Sequence, residues 1–70
     1  MRQVSNITIA TMKDPEGAGW LAQVHIEYKG TNHRDVLPLK GDAVMPLLDR
    51  CTKALDKRLH IVNGTAYMKR

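Results

Sequence analysis

Four side chains of this 70-residue chain are soft metal ligands: His25, His33, His60 and Cys51. No two of them fall two to four residues apart, the spacing on which zinc sites are usually built. Their positions predict surface histidines: His25 on the wet side of a strand, His33 in a turn and His60 at a helix end, where the dipole favours a cation. A Cys–His nucleophile would need an exposed Cys51 with its thiolate favoured, yet Cys51 falls within an apolar helical stripe. Asp14 and Glu16 share a turn that offers no cleft. Gly17-Ala18-Gly19 precedes a strand and opens no helix, so it is not a phosphate-binding loop. The expectation is a non-enzymatic protein with no catalytic residue, no cofactor and no metal.

The remaining chemistry is that of binding. On the helix, Arg50, Lys53, Lys57 and Arg58 are offset by Asp49 and Asp56, and Lys69 and Arg70 close the chain. Much of this suits a solvated face, with an Asp49–Lys53 pair one turn apart and cations near the helix C-terminus. Gln23, His25, Glu27 and Lys29 occupy the wet side of a strand, flanked by Asn32, His33 and Arg34. Arg, Asn and Gln can read base edges while Lys and Arg hold phosphates, and the formal net charge of +4 permits an anionic partner. Gln23, His25, Lys29, Asn32, Arg34, Arg50, Lys53 and Lys57 are therefore the candidate binding residues, with DNA favoured over RNA. Glu27 and Asp35 oppose that reading. The alternative is a protein-binding regulator or inhibitor, of a size that phages and mobile elements encode. Four methionines, Met1, Met12, Met45 and Met68, supply adaptable contact groups for it. Such a module is expected to act as a homodimer.

The elements that position these residues are organised around Trp20 to Lys29. Alternation puts Trp20, Ala22, Val24, Ile26 and Tyr28 on one face and Leu21, Gln23, His25, Glu27 and Lys29 on the other. Upstream, Val4 to Lys13 reads as a strand with Ile7 and Ile9 on one side and Val4, Ala10 and Met12 on the other. Its second face should be covered, a partner subunit being one candidate. Asp14 to Gly19 is a turn, which makes the pair an antiparallel hairpin. After a second turn at Gly30-Thr31-Asn32, His33 to Lys40 forms a third strand with Leu37 and Leu39 inward. Pro38 puts it at an edge or ends its pairing there.

Gly41-Asp42 opens a helix with Asp42 as N-cap and Pro46 near its first turn. Val44, Leu47, Leu48, Cys51, Leu55 and Leu59 form one apolar stripe. Asn63-Gly64 reads either as the end of that helix or as a type I′ turn joining His60-Ile61-Val62 to Thr65-Ala66-Tyr67. β-branched neighbours favour the extended form.

The whole is a single α+β domain, residues 1–70. An antiparallel sheet of three strands, four if the C-terminal segment pairs, packs on one amphipathic helix in β-β-β-α order with a short extended tail. A core without Phe is aliphatic, and a domain this short is marginal, so pairing through an edge strand is an expected source of further burial. The lone cysteine excludes an internal disulfide. No stretch has the apolar run of a signal peptide or a membrane span, and a cytoplasmic protein that does not enter membranes is expected. Over roughly residues 3 to 60 the element order resembles that of AP2-type domains and of the arm-binding domains of phage integrases. The resemblance is one of order alone, with no motif residue shared. It implies a sheet whose open face enters a DNA groove.

Overall fold

The computed structural model describes residues 2–69. Their order is β1 (Arg2–Lys13), β2 (Trp20–Tyr28), β3 (Arg34–Gly41), α1 (Val44–Arg58), β4 (Leu59–Val62) and β5 (Thr65–Met68). All pairings are antiparallel, and the strands lie in the spatial order β3-β2-β1-β5-β4. The α+β class holds, with five strands where three or four are expected.

Strand β2 lies between β3 and β1 and behaves as its alternation dictates. Ala22, Val24, Ile26 and Tyr28 are buried, and the residues between them are half-exposed. Helix α1 lies over this face and adds Leu47, Cys51 and Leu55 to the core, with Ile7, Ile9, Leu37 and Leu39 packed around them. The Cys51 thiol is completely buried. The helix passes close to the end of β3 because residue 41 is glycine: a Cβ there would lie 3.4 Å from the Leu47 side chain.

Four local expectations are corrected. Val4 joins the core side with Ile7 and Ile9, because a bulge between Val4 and Asn6 inserts Ser5 and reverses the alternation upstream of it. The helix is capped by Ala43, whose carbonyl accepts from the Leu47 amide at 3.2 Å, and no side chain caps it; Asp42 lies one residue outside. Pro46 is the third helical residue, where an N–H would have no intrahelical acceptor. Leu59 ends the apolar stripe as the first residue of β4, with φ −103° and ψ 145°. His60 consequently sits in β4, opposite Tyr67, and is not at a helix end.

The C-terminal alternative resolves as the hairpin. Asn63 and Gly64 have φ of 51° and 79°, the left-handed pair that a type I′ turn requires. Strand β5 then joins β1, but only opposite Arg2 and Gln3. Beyond Gln3 the two strands splay apart, leaving a wedge lined by Val4, Ser5, Asn6, Ile7, Gly64, Thr65 and Ala66.

Candidate functional site

Because α1 covers one side of the sheet, the other side of β1, β2 and β3 is open, and the register arranges it as a grid. Its rows run Asn6–Glu27–Arg34, Thr8–His25–Val36, Ala10–Gln23–Pro38 and Met12–Leu21–Lys40. One end is polar: Asn6 donates to Glu27 Oε1 at 3.0 Å and also contacts Thr8. In the middle, His25 Nε2 lies 3.3 Å from Gln23 Oε1, while His25 Nδ1 is buried without a partner among the described residues. A shallow depression bounded by Thr8, Ala10, His25, Glu27 and Arg34 surrounds the imidazole. Apolar groups take much of the rest, Ala10, Met12 and Leu21 towards the far end and Val36 and Pro38 along β3, with Met12 41% and Val36 49% exposed, and Lys40 closes the last row.

Of the candidate binding residues, Gln23, His25 and Arg34 meet on this open face. Lys29 and Asn32 stand at its margin in the β2–β3 turn, both exposed. Arg50, Lys53 and Lys57 belong to α1 and lie on the opposite side of the sheet, so the eight do not form one surface. Two of those three helix cations also have local work. Arg50 Nη1 donates to the Lys40 carbonyl at 2.6 Å, and Lys53 pairs with Asp49 at 2.9 Å. Sequence reasoning passed over Val36, Pro38 and Leu21 as contact residues. The signal was present in the alternation against Leu37 and Leu39, but reading it needs the cross-strand register.

A second polar group closes the end of the sheet on the helix side. Tyr28, 2% exposed, donates its hydroxyl to Asp35, which also meets His33 Nε2 at 3.1 Å and Arg2 at 3.6 Å. The Arg2 guanidinium stands 4.2 Å from the centre of the Tyr28 ring, and His33 stacks along it. Burial, seconded by the bond to Asp35, pushes the Tyr28 pKa up to about 12. The Tyr28 hydrogen bond, aided by His33 and Arg2, holds the Asp35 carboxyl below its usual range. These contacts tie β2, β3 and the start of β1 together. Among the described residues no three His, Cys, Asp or Glu side chains converge as a metal site would require.

No protein-family model matches this chain, and no curated protein or solved structure is significantly similar to it.

Proposed function

We propose that this chain is a non-enzymatic protein-binding module that engages its partner with the open face of β1, β2 and β3. The observation that supports it is the make-up of the grid. Its apolar groups, Ala10, Met12 and Leu21 towards one end and Val36 and Pro38 on β3, flank the uncharged hydrogen-bonding side chains of Gln23 and His25 in the middle column. Within it the formal charges are Arg34 and Lys40 against Glu27. An uncharged centre with charges only in the end rows matches the depletion of charge at the core of a protein interface, and so weak a positive field gives little phosphate attraction. Occupying a partner's surface, as a regulator or inhibitor does, requires nothing further.

A second reading, nucleic-acid binding, draws on Gln23, His25 and Arg34 sharing one face, since such side chains match base edges. Salt separates the two. The protein is immobilised with and without Val36→Glu, exposed to lysate and random duplex DNA, and washed at rising ionic strength. On the protein-binding reading, a partner survives high salt and is lost with Val36→Glu, while DNA is not retained. Retention of DNA at low salt, released by salt and weakened by Arg34→Ala, overturns it in favour of nucleic acid.

A further inference from the structure

The backbone of β1 offers a pairing edge of its own, independent of what the open face binds. The Asp14 amide donates to the Gly19 carbonyl at 3.0 Å, in register with the β1–β2 ladder. Hydrogen-bonded pairs alternate along an antiparallel ladder, so the amides and carbonyls of Asn6, Thr8, Ala10 and Met12 point to β2. Those of Ile7, Ile9, Thr11 and Lys13 point the other way, and among the described residues no strand meets them, because β5 leaves β1 after Gln3.

The other edges are protected. On β3 the same alternation turns Arg34, Val36, Pro38 and Lys40 outward: Pro38 has no amide to offer, and the Lys40 carbonyl is taken by Arg50. Strand β4 is four residues long. The β1 edge has no such guard. From Asn6 to Met12 it contains no charge, proline or glycine, and four of its residues, Ile7, Thr8, Ile9 and Thr11, are β-branched. The helix makes most of its contacts with β2, β3 and β4, and Ile7 and Ile9 stay half-exposed on the core side.

We propose that this edge is the interface between two copies of the chain, joined by antiparallel pairing of β1 with its twofold mate about Ala10. That register uses all four outward positions, setting Ile7 against the partner's Lys13 and Ile9 against the partner's Thr11, and the reverse. The two Ala10 residues face each other at the axis as a non-hydrogen-bonded pair, where strands approach most closely and small side chains fit. Asn6 meets the partner's Asp14, and nowhere do like charges oppose. Ile7 and Ile9 of both copies then form a continuous apolar strip between the two helices. The edge is self-complementary in hydrogen bonds, size and charge, which is what an isologous interface demands.

The test is light scattering across concentration, with hydrogen exchange of the β1 amides. The native chain is expected to be a dimer with Ile7, Ile9, Thr11 and Lys13 protected. Thr11→Pro deletes an outward donor and leaves the β1–β2 ladder intact. It removes two interfacial hydrogen bonds per dimer and should raise the dimer Kd on the order of tenfold or more. Ala10→Glu and Ala10→Arg each place like charges on the axis and should give folded monomers by circular dichroism, whereas an equal mixture should recover a heterodimer. A monomeric native chain, exchange at the four amides as fast as in the turns, a dimer indifferent to Thr11→Pro, or folded Ala10 variants that fail to pair would each overturn the proposal.

Discussion

Replacing Gly19 by alanine should destabilise this protein, against the usual direction of such a change. Gly19 is not in the left-handed region, and at a compatible position alanine stabilises by roughly 0.4–1 kcal/mol, by restricting the unfolded chain. Here a Cβ would stand 2.6 Å from the Gly41 carbonyl oxygen, well inside contact distance, and 3.8 Å from the Asp42 Cα. The obstacle is backbone, not the end of a flexible side chain, so the strands must part. Two features lie in the way. The Asp14 amide is bonded to the Gly19 carbonyl, and the next residue, Trp20, pairs with Gly41. Weakening one or two such bonds at about 1 kcal/mol each, with overpacking strain of about 1–3 kcal/mol, outweighs the entropic gain. The net loss should be about 1–3 kcal/mol, measured by urea unfolding at constant m-value. Gly17→Ala serves as the control, since its nearest neighbour would be an Asp14 carboxylate oxygen at an ordinary 3.5 Å. If Gly19→Ala is as stable as the native chain, the close approach of the first turn to the end of β3 is refuted.

Two further outcomes are expected. Ile26→Ala empties part of a core only two layers deep and should cost about 2–5 kcal/mol, much of what a chain of this length has; a loss under about 1 kcal/mol in urea would remove β2 from the core. Stability should also fall at both extremes of pH. Asp35, lowered in the folded state, contributes above its unfolded pKa and loses that contribution as the solution is acidified through the folded one. Tyr28, raised to about 12, contributes fully below its unfolded pKa near 10 and loses it as pH climbs from there to the folded value. Tyr28→Phe should abolish the alkaline slope and shrink the acid one in melts across pH, and an unchanged alkaline limb would show that the hydroxyl is not buried against Asp35.

Much of the fold was legible because it rests on local rules. The alternation of β2, the glycine-bearing turn before it, Pro38 on an edge strand and the apolar stripe of Leu47, Cys51 and Leu55 each depend on residues close in sequence. So does the Asn63-Gly64 turn, once β-branched neighbours decide between hairpin and helix end. The errors lay where a single residue changes the phase of a pattern. Ser5 bulges and carries Val4 to the core side, while the helix begins one residue after Ala43 and leaves Asp42 uncapping. Neither displacement alters composition or periodicity enough to be read in advance.

The candidate site shows the same division. Residue types and alternation sufficed to put Gln23, His25 and Glu27 on a wet face and the cations of the helix on a solvated one. That the helix lies on the opposite side of the sheet, dividing Arg34 from Lys53 and Lys57, follows only from which face of β2 it buries. The neighbours of His25, drawn from β1 and β3, follow only from the register. The sequence by itself determined the strands, the helix and the polarity of each face, because these are set within a few residues by backbone geometry and side-chain type. The tertiary structure alone decided that β5 departs from β1 after Gln3, since strand pairing is settled by the long-range competition of all the strands for partners. It is that departure which, among the described residues, leaves the outward amides of Ile7, Ile9, Thr11 and Lys13 without a strand to pair with.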